Sequence, residues 1–243
     1  MMANLTGPER ARYVQEMFSR IAGRYDLMNR VMTAGQDVRW RRAVIGLAGL
    51  PPDGWLLDLG AGTGDLAGEA VRQQPGAHVL AADFTLEMMR VGRERSGSQA
   101  LPAGRLVWSA ADATRLPFPE QTFEAVVSGF LLRNVTDVAR CLSEQYRVLK
   151  PGGRLVALDT TPPPHTPLRP LIRFHLHRLI PTLGKLIAGQ AEAYQYLPDS
   201  TESFLEPEQL AARLQETGFQ QVRFQRRMFG TIAIHWARKP ETG

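Results

Sequence analysis

The sequence predicts an α/β fold: a doubly wound, mostly parallel seven-stranded sheet with a terminal antiparallel strand, an N-terminal helical cap and a helical lid insertion. Three observations predict it. The run Leu56-Leu57-Asp58-Leu59 suits a strand buried on both faces, and it breaks into Gly60-Ala61-Gly62-Thr63-Gly64-Asp65. Leu66, Ala70 and Val71 then fall on one helical face. Further apolar runs at residues 77–83, 105–108, 123–130 and 154–159 alternate with helical periods and loops. Two alternating runs, at residues 219–225 and 231–237, form a pair of edge strands around Phe229-Gly230.

The 243 residues are 44% hydrophobic and 22% charged, which fits one folded domain and excludes wholesale disorder. Within it the sequence divides into a helical cap over 1–50, a cofactor-binding core over 51–160, a basic helical lid over 161–205, and a terminal helix and strands over 206–243. Nothing approaches the roughly 18 apolar residues of a membrane span. Glu9, Arg10 and Arg12 interrupt any signal-peptide core, so a cytoplasmic location is expected. The single cysteine, Cys141, reads as a small buried hydrophobe, and no metal site is expected. Lys and Arg exceed Asp and Glu by 29 to 24, a net charge of +5.

Taken in order, Pro8 suits a first helical turn, and Val14, Met17, Phe18 and Ile21 share a stripe. Gly23 predicts a break between helices, beside which Tyr25 and Asp26 are candidate pocket residues; solvated turn residues would look the same. Pro51-Pro52-Asp53-Gly54 is a turn into the first strand. The second strand ends in Asp83, about 20 residues after the glycines, where a carboxylate's two oxygens match a ribose diol; capping the next helix is the alternative role. The third strand leads to Asp112-Ala113, the fourth to Ser128-Gly129. A helix over 135–149 stops at Lys150-Pro151-Gly152-Gly153 and a fifth strand follows.

From His165 to Gln190 there is no acid, while Arg169, Arg173, Arg178 and Lys185 appear with three histidines. Leu168, Ile172, Leu176 and Ile180 share a helical stripe. That pattern suits either a lid packed on the core or an interfacial helix on anionic lipid, which would place the protein peripherally at the inner face of the membrane. His235, in a terminal strand, reads as a packed edge residue rather than a base.

A strand turning through glycines into a helix presents backbone N–H groups and a positive dipole end to a nucleotide cofactor. The spacing Gly60-x-Gly62-x-Gly64 differs from the Gly-x-Gly-x-x-Gly of nicotinamide and flavin enzymes, and no Walker lysine follows. Preceded by Asp58, it resembles the first motif of class I S-adenosylmethionine-dependent methyltransferases, with a Rossmann-like fold. For such a cofactor Asp58 or Asp65 would help retain the cationic methionine end, and Asp112-Ala113 resembles the motif that meets the adenine amino group.

Phe18 to Asn29, Leu131-Leu132-Arg133-Asn134-Val135-Thr136-Asp137, Tyr146 to Gly153, and Tyr194-x-Tyr196-Leu197-x-x-Ser200 together resemble the C-methyltransferase family of ubiquinone and menaquinone biosynthesis, the UbiE- and MenG-like enzymes. The resemblance spans roughly residues 14–239. It implies that Thr63, Asp83, Asp112, Ala113 and Gly129, with Ser128 adjacent, contact S-adenosylmethionine. It also implies methyl transfer to a ring carbon of a lipid-tailed quinol, most directly demethylmenaquinol to menaquinol. Three positions depart from the family: Asp112-Ala113-Thr114 for Asn-Ala, Leu131 for a glycine, and Leu158-Asp159-Thr160-Thr161 for a Glu-Phe-Ser pattern.

A quinol carbon becomes nucleophilic once its neighbouring hydroxyl ionises. Arg133 is the first candidate to stabilise the phenolate, with Asn134 and Tyr25 as positioning candidates; pairing of Arg133 with Asp137 is the competing structural role. A methyltransferase for another phenol, a benzoquinol or a lipid is the alternative. A nucleic-acid substrate is not expected, because the Asn/Asp-Pro-Pro-Tyr and Pro-Cys motifs are absent. A homodimer is among the assemblies left open.

Overall fold

The computed structural model describes residues 7–98, 104–184 and 191–241. The run expected as the first strand forms β1, Trp55–Leu59. Its neighbours in the chain are β2 (His78–Asp83), β3 (Leu106–Ala110), β4 (Phe123–Gly129) and β5 (Leu149–Thr160), followed near the end by β6 (Gln220–Arg227) and β7 (Ile232–Arg238). The seven strands form one sheet in the order β3-β2-β1-β4-β5-β7-β6. β1 to β5 pair in parallel, and β7 enters antiparallel between β5 and β6.

The chain runs outward from β1 to β3 and then returns to lay β4 on the other side of β1. The carboxyl ends of β1 and β4 therefore form a switch point, the crevice where open parallel sheets take their ligands.

Alternation along β1 sends its side chains to two cores. Leu57 and Leu59 join Leu142, Val148, Leu210 and Leu214 on one face. These come from α6 (Val138–Val148) and α10 (Pro207–Glu216). Leu56 joins Val44, Ile45, Leu66 and Val71 on the other, from α3 (Gln36–Ala48) and α4 (Asp65–Gln73). Cys141 is fully buried in the first core, and burial pushes its thiol up to about 12, so it is inert packing.

The N-terminal segment forms α1 (Gly7–Ile21) and α2 (Tyr25–Met32), joined by a tight turn at Ala22–Arg24, where Gly23 predicts the break. After β2 comes α5 (Leu86–Ser98). The acid-poor insertion forms α7 (Arg169–Phe174), a wider turn over His175–Leu179, α8 (Ile180–Leu183) and α9 (Ala191–Glu202). Cap and insertion share a third core, in which Met17, Ile21 and Met28 meet Ile172, Leu176, Ile180, Tyr194 and Tyr196.

The expected stripe thus packs inward, except that Leu168 stays half exposed. Arg173 pairs with Glu202 at 3.0 Å and Arg169 hydrogen-bonds His165 at 2.9 Å, so these two arginines are held within the insertion. Lys185 and the rest of 185–190 lie outside the described residues. His235 is buried against Phe224 and bonds the Pro207 carbonyl at 2.9 Å; it is packed as expected, but β7 lies between β5 and β6, so it is not at the sheet edge.

Asp137 does not pair with Arg133, as the competing role would require. Its carboxylate accepts from the Arg140 N–H at 2.9 Å and caps α6. Asp137→Ala should therefore lower stability by about 1 kcal/mol in denaturant unfolding while leaving cofactor affinity unchanged.

Candidate active site

The glycine turn after β1 is shaped by its neighbours. Gly60 (φ +68°) lies under Leu131, whose Cδ1 would sit 2.8 Å from any added Cβ. Gly64 (φ +79°) lies against Trp108, 2.6 Å from where a Cβ would be. The backbone amides expected to stand open are mostly engaged. Gly60 and Ala61 donate to the Ala82 carbonyl at 2.8 and 3.0 Å, Gly64 donates to Ala61, and Gly62 donates to Asp83 Oδ2 at 2.7 Å. This turn is not an anion cradle, which suits a cofactor without phosphates.

Two aspartates, buried Asp58 and half-buried Asp83, close the strand ends. Asp83 accepts from Gly62 with one oxygen and from Thr85 N–H at 2.7 Å with the other, so it fixes the turn leading into α5 and braces the glycine turn at once. Burial raises its pKa against these hydrogen bonds. Each oxygen keeps lone pairs toward the cleft it lines, where a diol would donate. Asp58 accepts from Ala67 N–H at 2.9 Å through Oδ2, while buried Oδ1 has no partner. Burial pushes this carboxyl up to about 7.

Asp58 shares a small recess with Arg41, Tyr25, Thr63 and Asp65. Asp65 is committed elsewhere, a correction to its expected part in holding a cation. It pairs with Arg30 at 3.1 Å, Arg41 at 3.3 Å and Arg95 at 2.8 Å. Burial acts to raise its pKa, and Arg41, Arg95 and Arg30 together outweigh that and lower it. Thr63 donates to Asp26 at 2.6 Å, and Asp26 also pairs with Arg95. A buried acid with an unused oxygen beside a buried arginine complements a zwitterionic amino-acid end. The residues present fit S-adenosylmethionine.

The cofactor cleft runs from Gly60 and Gly62 past Asp83 to Asp112, Ala113 and Gly129, and Tyr25 and Asn134 also line it. Asp112 is exposed and its Oδ1 is taken by the Thr114 N–H and hydroxyl, both at 2.8 Å; Oδ2 is the oxygen left for a ligand. Ser128 is buried in the sheet with an unpartnered hydroxyl, and Gly129 rather than Ser128 lines the cleft.

A second, partly open cavity lies under the insertion. It is lined by Met32, Ile172, Leu176, Ile180, Leu197 and Ile232, with Asn29, Arg133 and His175 among its few polar groups. Phe130 lines both cavities and holds a left-handed backbone (φ +61°), a strained conformation for an aromatic residue. Arg133 stacks over its ring at 5.2 Å.

Arg133 is 6% exposed; Nη1 pairs with Asp159 Oδ1 at 2.6 Å, and its own N–H reaches Oδ2 at 3.3 Å. Its carbonyl accepts from Arg10 of the cap at 2.7 Å. Asn134 donates to the Phe130 carbonyl at 2.9 Å and accepts from the Tyr196 hydroxyl at 3.2 Å, which ties α9 to this turn. Burial raises the pKa of Tyr25, with Arg133 and Asn29 opposing, so its phenol stays neutral and serves as a donor rather than a base.

The candidate residues Tyr25, Arg133 and Asn134 thus converge at the junction of the two cavities. Arg41, Asp159 and Tyr196 escaped the sequence reading of the site. Arg41 lies in the helical cap outside any motif, Asp159 stands out only as a departure from a pattern, and Tyr196 is a motif residue without a role.

Comparison with known proteins agrees with this geometry. The model of the ubiE/COQ5 methyltransferase family matches residues 6–239. The chain is 48% identical over 226 residues to the ubiquinone/menaquinone biosynthesis C-methyltransferase UbiE of Desulfotalea psychrophila, covering 93% of this chain and 90% of that one. It is 44% identical over 224 residues to the demethylmenaquinone methyltransferase of Thermus thermophilus, covering 92% and 100%. Among solved structures, phosphoethanolamine N-methyltransferase 2 of Haemonchus contortus with S-adenosylhomocysteine aligns with a TM-score of 0.64 at 16% identity, over 86% of this chain and 57% of that one. The [4+2]-cyclase SpnF aligns with the same score and identity over 94% and 96%, so at this distance the likeness speaks for the fold alone.

With its pKa raised to about 7, Asp58 should make cofactor binding pH-dependent. A carboxyl protonated below pH of about 7 must ionise to hold an ammonium, so affinity should fall by up to about tenfold per unit below that pH. Asp58→Asn should weaken binding and flatten the dependence in calorimetric titrations. A folded pKa above the unfolded value means stability that is present below the unfolded pKa and lost as pH rises through about 7. The cofactor-free Asn variant should therefore melt above the wild type at pH 8.

The match over nearly the whole chain, together with a cleft that fits its cofactor, shows that the protein belongs to the ubiE/COQ5 methyltransferase family, S-adenosylmethionine-dependent C-methyltransferases of quinone biosynthesis.

Proposed function

We propose that the protein methylates the ring of a demethylmenaquinol carrying an isoprenoid tail, yielding menaquinol. One observation carries this reading: a polar cofactor cleft and a large apolar cavity meet at Phe130, with Arg133 at the meeting point. The cofactor supplies an electrophilic methyl group on a sulfonium sulfur. The relatives named as demethylmenaquinone methyltransferases favour a naphthoquinol ring.

The chain's own residues supply the rest. Asp58 and Arg41 hold the amino-acid end of the cofactor, Asp83 the ribose, and Asp112 with Ala113 the adenine edge; Thr63 secures the loop through Asp26. Met32, Ile172, Leu176 and Leu197 take the tail and keep water from the ring. Arg133, fixed by Asp159, favours the ionised quinol oxygen, which makes the adjacent carbon nucleophilic. Asn134 and Tyr25 orient this corner, and alignment of carbon and methyl contributes much of the acceleration.

The insertion and the turn between β6 and β7 together carry an unpacked apolar rim. Leu171, Phe174 and Phe229 are 66%, 62% and 75% exposed, and all three line the cavity. No helix among the described residues is long and apolar enough to cross a membrane. The rim, with Arg173 and Arg178 nearby in sequence, is the surface through which the tail enters from an anionic bilayer.

Labelled methyl transfer should appear in prenylated demethylnaphthoquinol, less in the benzoquinol, and not in RNA; no label in either quinol with cofactor binding intact would overturn the reading. Arg133→Lys keeps a cation for Asp159 but loses the Nε–H, and should cut turnover at least about a hundredfold with cofactor affinity within about threefold. Co-sedimentation with phosphatidylglycerol vesicles should exceed that with neutral vesicles, and Leu171→Ser with Phe174→Ser should abolish it.

A further inference from the structure

Two donor-only nitrogens on residues that line the apolar cavity make no hydrogen bond of full geometry. Nε of Arg133 and Nδ2 of Asn29 are both buried and unpartnered, on residues that are 6% and 7% exposed and both line that cavity. Arg133 uses Nη1 for Asp159, which leaves Nε for something else. Asn29 lies one turn after Tyr25 on α2. The charge of Arg133 and the carboxamide of Asn29 both act on the Tyr25 phenol and favour its ionised form, so both side chains lie near it. Nδ2 nonetheless makes no bond of full geometry there.

A buried N–H without an acceptor is costly in an apolar surround, and two such groups on residues lining one cavity suit an oxygen atom bound there. We propose that Asn29 is a substrate-binding residue, whose Nδ2–H joins Arg133 Nε–H in holding the quinol oxygen next to the carbon that is methylated. This rests on the quinol reading above. A cation alone attracts the phenolate; a neutral amide beside it fixes where the oxygen sits, and so which ring carbon faces the cofactor cleft past Phe130. The pair also lowers the pH at which the bound hydroxyl ionises, because both donors prefer the anion.

The test is steady-state transfer from labelled S-adenosylmethionine to prenylated demethylnaphthoquinol, kept reduced under anaerobic conditions, from pH 6 to 9.5. Asn29→Ala should lower kcat/KM at least about tenfold and move the rising limb of the profile up by about one pH unit, with cofactor Kd within about threefold. Asn29→Asp, nearly isosteric, places a carboxylate against the phenolate and should lower kcat/KM at least about a hundredfold; it carries the same test if the alanine variant does not fold. Asn29→Ser should recover part of the loss. Folded variants that keep the wild-type limb overturn the assignment, even if their rates fall, because a purely structural role lowers rate without moving ionisation. A wild type that binds cofactor but methylates no quinol overturns the quinol reading and this inference with it, which distinguishes the two failures.

Discussion

Burying a carboxylate at the end of a parallel strand is tolerable only when something bonds to it, and this constraint organises the functional edge of the sheet. Asp58 at β1 takes the Ala67 N–H and anchors α4. Asp83 at β2 takes amides from the glycine turn and from the turn leading into α5. Asp159 at β5 takes the Arg133 side chain and backbone. Each acid converts a strand end, already rigid, into the fixed point of a loop that would otherwise wander. The loops carry the site; the aspartates carry the loops.

The three acids are satisfied to different degrees, and the difference tracks their use. Asp159 is paired with a guanidinium and spent on structure. Asp83 meets two backbone amides and retains acceptor capacity toward the cleft. Asp58 keeps a whole oxygen unpartnered in a buried recess and accepts a strongly raised pKa as the consequence. A site left under-satisfied in the free protein is where a charged ligand gains most on binding. The nearby cluster of Arg30, Arg41 and Arg95 on Asp37, Asp65 and Asp26 stiffens the same end by mutual compensation.

Cap and insertion act as one roof. They share a core built around Ile172, Leu176 and Tyr194, and they reach the sheet through Arg10 on the Arg133 carbonyl and Tyr196 on Asn134. The turn carrying Arg133 and Asn134 is thus gripped from β5, from α1 and from α9. Phe130 in a left-handed backbone is the strained link of this turn, held where the polar and apolar cavities meet.

The alternation of buried strands and helices, the glycine turn and the acids at 58 and 83 were all legible in the chain, because period and spacing are local properties that survive folding. So was the cofactor class, through the resemblance of the glycine turn, preceded by Asp58, to the first motif of class I S-adenosylmethionine-dependent methyltransferases. What charges pair with could not be read. Arg133 lies four residues from Asp137 yet bonds Asp159, 26 positions away, because parallel crossovers bring the ends of β4 and β5 together. The same holds for Asp65, whose oxygens are claimed by three arginines from elsewhere in the chain, and for the insertion, whose stripe turned inward while Leu171 and Phe174 stayed out. Periodicity says that a helix has an apolar face; only tertiary packing decides what covers it, because burial depends on which surfaces the rest of the chain brings within reach.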